Sequence, residues 1–254
     1  MSGQTVYLIT GANRGIGYGL AKTIAVRPNA VVFAAARDPT AQSLTSLAAS
    51  HPNVHPVKFV AGDQTSNEAA VAEIQKTAGR LDVVIANAGI SKYFGSIGTI
   101  PVSEFRDHWE VNTLGVIVLF QAVQHLLLAS PTNAPIFALI STGAGSIAKF
   151  YNAAMGAPGA SKAAANFIIK ALDAENPKLV SLAIHPGWVA TDMGNGGAKA
   201  FGMEQAPVTV EDSVNGVLSR IDGATKEKSS GKFFNFARSS GGNMWDIDTD
   251  EIPW

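Results

Sequence analysis

The sequence has no cysteine in its 254 residues. That excludes a disulfide framework and any thiolate metal site. It also has almost no net charge: 19 Lys and Arg face 20 Asp and Glu, a formal charge of −1. So balanced a chain has no strong field to draw it to nucleic acid or an anionic membrane, and neither is expected as a partner. Charged residues make up only 15% and apolar ones 46%. This is too apolar for disorder and enough for a large core. No basic segment precedes the first apolar run, "MSGQTVYLITG", so no signal peptide is expected. The longest apolar stretch, Val111 to Ala129, is broken by Asn112, Gln121, Gln124 and His125. A membrane span needs about 20 mostly apolar residues without such breaks. A soluble protein of a reducing, cytoplasmic compartment is expected.

What the chain does have is an alternation. Short apolar runs recur as "TVYLIT" (5–10), "VVFAAA" (31–36), "HPVKFV" (55–60), "DVVIA" (82–86), "PIFALIS" (135–141), "LVSLAIH" (179–185) and "KFFNF" (232–236). They are rich in Val, Ile and Phe rather than alternating with polar residues, as in strands buried on both faces. Helical patterns lie between them near 16–26, 41–49, 66–78, 104–128, 158–173 and 209–221. This order predicts an α/β fold: a seven-stranded, mostly parallel, doubly wound sheet with helices on both faces. No repeat or linker interrupts it, so residues 1–254 read as a single domain. The segment 193–208, "MGNGGAKAFGMEQAPV", departs from the alternation. It reads either as a mobile substrate lid or as an ordinary long loop.

The first strand ends in "TGANRGIG", which places Gly11, Gly15 and Gly17 before a helix, with Asn13, Arg14 and Ile16 between and beside them. Phosphates approach backbone N–H groups at a helix N-terminus, and side chains there would block them. The second strand ends "AAARD". Dinucleotide sites for NAD usually place an acid there for the ribose 2′-hydroxyl. Here Arg37 takes that place, with Arg14 in the glycine loop and Asp38 one residue further on. Two guanidiniums and no acid favour a 2′-phosphate, hence NADP(H). Either Arg also fits a solvated surface position.

These residues resemble the short-chain dehydrogenase/reductases over nearly the whole chain. The matching motifs are "TGANRGIG" (10–17), "AGD" with Asp63, "ANAG" (86–89), "VN" with Asn112, "SK" with Lys162 and "HPGWVATDM" (185–193). Within that family, "ASKAAANF", "HPGWVATDMG" and the "GKFFNF…EIPW" ending are similar to the fungal norsolorinic-acid-ketoreductase-like branch. The resemblance implies a Rossmann-type fold and, commonly, a homo-oligomer. It implies that Asp63 meets the adenine edge and that Asn87, Ala88 and Gly89 line the adenosine ribose. Lys162 would bond the nicotinamide ribose, and Pro186, Gly187, Val189 and Thr191 would hold the carboxamide. Taken singly, Asp63 also fits as a cap for the helix near 66–78, and Asn87–Gly89 as a plain strand-end turn.

The family's catalytic set is Asn, Ser, Tyr and Lys, with Tyr as the proton donor and Lys tuning it from i+4. Asn112 and Lys162 are present. The Tyr position holds Pro158, which has no ionisable group. Proline is tolerated in a first helical turn, where its missing N–H has no partner to lose. The Ser position is Thr142 counted along "ISTGAGS", or Gly145 counted back by the commonest family spacing; Ser141 and Ser146 are nearby hydroxyls. Two tyrosines are candidates for a deputy. Tyr151 lies eleven residues before Lys162, off its helical face, and Tyr93 follows strand four. Asn166, one turn beyond Lys162, either packs locally or meets substrate, and it is the neutral isostere of Asp. A natural or an engineered Asp→Asn change would both give this residue. Trp188, Met193, Phe201 and Met203 fit an apolar pocket wall, or buried packing.

Ketone reduction builds negative charge on oxygen and needs a donor. An iminium already carries its positive charge, so hydride alone completes it, and positioning supplies much of the barrier reduction. Retained cofactor motifs without the acid therefore point to an NADPH-dependent reductase of a hydrophobic iminium. The pattern is similar to the fungal reductase/Diels–Alderases of prenylated indole alkaloid pathways, of the malbrancheamide and paraherquamide type, in which a cycloaddition follows reduction. Two other readings stand beside it: a ketone reductase with a deputy donor such as Tyr93, and an NADP-binding scaffold without turnover.

Overall fold

The computed structural model describes residues 3–150, 155–237 and 249–254. Seven strands form one sheet: β1 (Thr5–Thr10), β2 (Ala30–Ala36), β3 (Val54–Lys58), β4 (Val83–Ala86), β5 (Ile136–Ile140), β6 (Val180–His185) and β7 (Lys232–Asn235). Their order is β3-β2-β1-β4-β5-β6-β7, and every pair is parallel. The strand order reverses between β1 and β4. At such a switch point the connections leave in opposite directions and open a crevice beyond the strand ends.

The helices cover both faces. α1 (Gly15–Ala25), α2 (Gln42–Ser50) and α8 (Val210–Asp222) pack on one. α3 (Gln64–Thr77), α5 (Gly115–Leu128) and α6 (Gly156–Glu175) pack on the other. β1 shows why its sequence does not alternate with polar residues. Val6 and Leu8 face the α5 side while Tyr7 and Ile9 face the α1 side, and all four are buried. Each such side chain contributes about 1.5–3 kcal/mol of burial, so the strands are fixed in register by apolar residues on both faces.

Two expectations need correction. The helix expected at 104–128 is α4 (Val102–Trp109) joined to α5 by a π-helical turn, Glu110–Leu114. The extra residue in the turn swings Asn112 inward, towards Ile90 and Ser161. The whole run 102–128 is helical and, despite its polar breaks, long and apolar enough to cross a membrane; half of its most apolar stretch is nevertheless buried inside the protein. Second, the segment 193–208 is not all loop. Residues Asp192–Ala200 form α7, capped by Thr191 Oγ1 accepting from Gly194 N at 3.1 Å. Three glycines hid this helix from a reading by propensity. After α7 the chain returns to pair Val208 with Val189. A short α9 (Lys226–Ser229) precedes β7.

The cleft at the strand ends

Gly11 and Gly15 have φ of +68° and +55°, the left-handed region open to glycine. Gly17 serves packing instead. A Cβ there would overlap Gly11 O and stand 2.5 Å from Asn87 Nδ2. Asn87 ties the strand tips together: its Nδ2 donates to Thr10 O at 2.8 Å, and Thr10 Oγ1 accepts from the N–H groups of Asn87 and Ala88, both at 3.0 Å. α1 starts at Gly15 without a side-chain cap, so its first N–H groups face the cleft unbonded by any side chain. An anion fits there, and no side chain fills the place.

Arg14 and Arg37 both line the cleft. Arg14 pairs with Asp192 at 3.5 Å, but the side chains are 65% and 85% exposed, so water screens the pair and Arg14 can turn to another anion. Asp38 is turned away. Its Oδ1 accepts from Thr40 N at 2.9 Å and Thr40 Oγ1 at 2.6 Å, which lowers its carboxyl below the usual carboxylate range. The tip of β2 therefore offers a cation and withholds its acid. Asp63 is the cap of α3, accepting from Ser66 N at 2.9 Å. It is not on the cleft wall; Phe59, Val60 and Ala61 are. Asn13, Ile16, Asn87, Ala88 and Gly89 line the cleft, as do Pro186, Gly187, Val189 and Thr191. The cradle fits a dinucleotide bearing an extra phosphate.

At the other end lie the expected catalytic residues. Lys162 Nζ donates to Ile140 O at 2.7 Å, and burial pushes the amine down to about 8. An ammonium has three N–H groups, so two remain for a ligand. Pro158 lines the cleft one turn earlier on α6. Gly159 N donates to Met155 O at 2.8 Å, a bond that starts just after Pro158, so the proline sits in the turn where no N–H is needed. Thr142 also lines the cleft. Its Oγ1 accepts from Ala144 N at 3.4 Å, leaving its hydrogen for a ligand.

Besides Gly17 and Asp63, four expected site residues are placed off the cleft wall. Asn112 is buried off the cleft wall. Its amide is fully used, accepting from Ile90 N at 2.8 Å and donating to Ile90 O and Ser161 Oγ, each at 3.0 Å. It is a positioning residue. Ser161 in turn donates to Pro158 O at 2.8 Å, so Asn112 holds the start of α6 through Ser161. Asn166 is buried beneath the site, accepting from Ser141 Oγ at 2.6 Å and donating to Gly145 O at 3.3 Å. It packs locally and does not line the cleft. Tyr93 does not line it either; its ring lies against Gly95, and the neighbouring Phe94 takes the wall. Met203 is also off the wall. Tyr151 lies outside the described residues. No tyrosine lines the cleft among the described residues.

The apolar wall is aromatic. Trp188, Phe201 and Phe94 all line it, with Phe201 edge-to-face to both others at 5.9 Å between centroids. Trp188 Nε1 donates to Gly194 O at 2.9 Å, which fixes the indole to the first turn of α7. Met193 and Gly197 complete this side. The cleft encloses about 480 Å³. Sequence reasoning missed Phe94 and His185. Phe94 sits in a loop of no periodicity, and only its aromatic character stood out. His185 was visible as the first residue of "HPGW". It lines the cleft, its buried Nδ1 has no hydrogen-bond partner among the described residues, and burial pushes its imidazole down to about 4, so it is neutral at pH 7.

Comparison with known proteins gives the same frame. The short chain dehydrogenase family profile matches residues 5–200. Norsolorinic acid ketoreductase nor1 of Dothistroma septosporum is 38% identical over 261 aligned residues, covering 100% of this chain and 94% of that protein. The norsolorinic acid ketoreductase of Aspergillus parasiticus is 37% identical, covering 99% and 92%. Among solved structures, NADPH-bound carbonyl reductase from chicken fatty liver superposes with a TM-score of 0.81 at 30% identity, covering 92% and 96%. The carbonyl reductase Sniffer of D. melanogaster gives 0.84 at 27% identity, covering 99% and 100%. The chain belongs to the short chain dehydrogenase family.

Proposed function

We propose that this short chain dehydrogenase binds NADP(H) and reduces an iminium-type C=N⁺ bond in a hydrophobic small molecule. The observation that carries the reading is Pro158. It stands one turn before Lys162 on the cleft wall, where the proton donor of a ketone reductase would stand, and no tyrosine among the described residues lines that wall. Bound NADPH supplies hydride. Arg14 and Arg37 would hold the extra phosphate, the open N-terminus of α1 the pyrophosphate, and Lys162 the nicotinamide ribose. The residues of this chain then position the substrate. Trp188, Phe94 and Phe201 exclude water and bury an apolar body. Thr142 keeps an O–H free beside the reacting atoms. A cation formed within the site would gain from such a wall, because aromatic faces attract positive charge.

The substrate class we favour is an indole alkaloid of fungal origin. The enclosed aromatic wall would also hold a reduced product in a folded shape for intramolecular cycloaddition. α7 and the chain up to Val208 would act as its lid, carrying Trp188's anchor and Phe201, and the working unit would be a homo-oligomer. The test is single-turnover NADPH oxidation with cyclic iminium ions and with ketones. Hydride delivery to an iminium supports the reading. Turnover of ketones with no iminium reduced refutes it.

Ketone reduction is the second reading. The names of the ketoreductase relatives favour it, and so does the unspent hydrogen of Thr142. Tyr93 gives it no support, since that ring is off the cleft.

A further inference from the structure

We infer that Lys162 is itself the proton donor of this site, converting a neutral imine into the iminium that is reduced. The inference deepens the reading above and rests on it. The Lys162 ammonium is buried on the cleft wall, yet among the described residues only one of its three N–H groups has a protein partner, Ile140 O at 2.7 Å. The side chain it would serve as a tuning group in a tyrosine-bearing site is replaced by Pro158. A Cβ added at Gly89 would stand 3.5 Å from Nζ, so the absence of a side chain at Gly89 keeps that face open. The free N–H groups are therefore open to a ligand in the cleft, and no tyrosine lines its wall among the described residues.

The proton transfer balances by itself. The imine nitrogen's lone pair takes a proton from the ammonium, an N–H bond forms on substrate and one breaks on Lys162, and a neutral amine remains. The iminium carbon would then accept the hydride that bound NADPH supplies, and solvent would return a proton to Lys162. The charge count also favours this order. A preformed cation beside a buried ammonium would place two positive charges together in a poorly hydrated site. With transfer inside the site, one positive charge moves from lysine to substrate, and the total stays at one until hydride arrives. An amine held near 8 by burial suits the exchange, because a donor works best with a pKa close to the operating pH.

Few other groups titrate towards Lys162. His185 on β6 stays neutral, being pushed down to about 4. Arg14, Arg37 and Asp192 line the cleft at its phosphate end. Of the elements packed against α6, α4 carries Glu104, Arg106, Asp107 and His108, the π turn Glu110 and α5 His125; none of these lines the cleft.

The experiment compares a cyclic imine, 3,4-dihydroisoquinoline, with its N-methyl iminium, a fixed cation needing no proton. First, binding of the N-methyl iminium to NADP⁺-loaded protein is measured from pH 7 to 9.5. Wild type should tighten about 10-fold as the ammonium near 8 is lost, which corresponds to about 1.4 kcal/mol. Lys162→Met should show no such change. Lys162→Arg, charged throughout, should bind the cation weakly at every pH. Second, single-turnover hydride transfer is measured for both probes. Lys162→Met should slow the imine about 100-fold more than the N-methyl iminium, within the usual range for a lost general acid. Equal slowing of both probes, or pH-independent cation binding in wild type, overturns the role of Lys162 while leaving iminium reduction standing. If wild type reduces neither probe, the iminium reading falls and this role falls with it.

Discussion

Replacing Pro158 by Tyr should turn the cleft into a ketone reductase. Pro158 and Lys162 are four residues apart on α6 and both line the cleft, so a phenol at 158 would lie on the lysine's side of the helix. The backbone accepts the change. Pro158 precedes the bond that Gly159 N makes to Met155 O at 2.8 Å, so tyrosine's added N–H disturbs none of the helix's described bonds. The expected cost is about 0.4–1 kcal/mol, because the unfolded chain regains the freedom that proline removes. The remaining partners are present. Lys162 offers two unspent N–H groups to hold a phenolate, and Thr142 has its hydrogen free for a carbonyl oxygen. A positioned general acid contributes about 10²–10⁴-fold, or roughly 3–5 kcal/mol of barrier. The assay is NADPH oxidation with an aromatic ketone, comparing kcat/KM of Pro158→Tyr with that of Pro158→Phe, which adds the ring without the hydroxyl. A ratio of about 100 or more is expected. A ratio near one, in variants that still bind NADPH and melt within a few degrees of the parent, would refute the claim that a missing donor at 158 is what separates this site from a ketone reductase.

Two further outcomes follow from the cofactor cradle. Gly17→Ala places a Cβ against Gly11 O and 2.5 Å from Asn87 Nδ2, so the loop must part from β4; a loss of about 1–3 kcal/mol should appear as a Tm lower by about 2–10 °C with NADPH binding weakened at least ~10-fold, and a parent-like Tm and Kd would count against the packing argument. Arg37→Ala removes a charged donor from the tip of β2, worth about 1.5–3 kcal/mol to a phosphate, so the ratio of NADPH to NADH affinity, read by fluorescence titration, should fall roughly 10–100-fold; an unchanged ratio would mean that Arg37 is a solvated charge.

Most of the fold was legible because burial writes itself into composition. The strands buried on both faces read as unbroken apolar runs, and β1 to β7 fall within a residue or two of those runs. Glycine-rich motifs with a mechanical reason were equally legible: Gly11 and Gly15 need positive φ, and Gly17 allows a close approach. Three things were not legible, each for its own physical reason. α7 carries Gly194, Gly196 and Gly197, and is held by its Thr191 cap and by Trp188 rather than by propensity. The π turn at Glu110–Leu114 depends on bonds from Asn112 to Ile90 and Ser161, partners far away in sequence. Direction was the third. Tyr93 and Phe94 are neighbours, and only the path of the loop decides that Phe94 faces the cleft while Tyr93 lies on Gly95. Asn166 was ambiguous for the same reason, and the answer lies in Ser141 and Gly145, which close its amide off beneath the floor.

The placement of these bonds bears on how such a site can change its chemistry. The cofactor cradle is held by Thr10, Asn87 and the glycine loop, and the start of α6 by Asn112 through Ser161 to the carbonyl of Pro158. None of these bonds uses the side chain at 158. The frame is therefore expected to accept tyrosine or proline there with little difference in stability, so under the proposed function a change at 158 would alter the reaction more than the fold. Proline also restricts its own backbone and adds an apolar ring to a wall already formed by Phe94, Trp188 and Phe201. Among the described residues of that wall, the ionisable donor one turn from Pro158 is the Lys162 ammonium, and no tyrosine lines it. A carbonyl would meet Lys162 and the Thr142 hydroxyl, with no tyrosine on the wall among the described residues. A basic imine nitrogen gains more, because it accepts the proton outright. Under the proposed function, the same geometry would favour substrates with nitrogen at the reacting carbon over ketones.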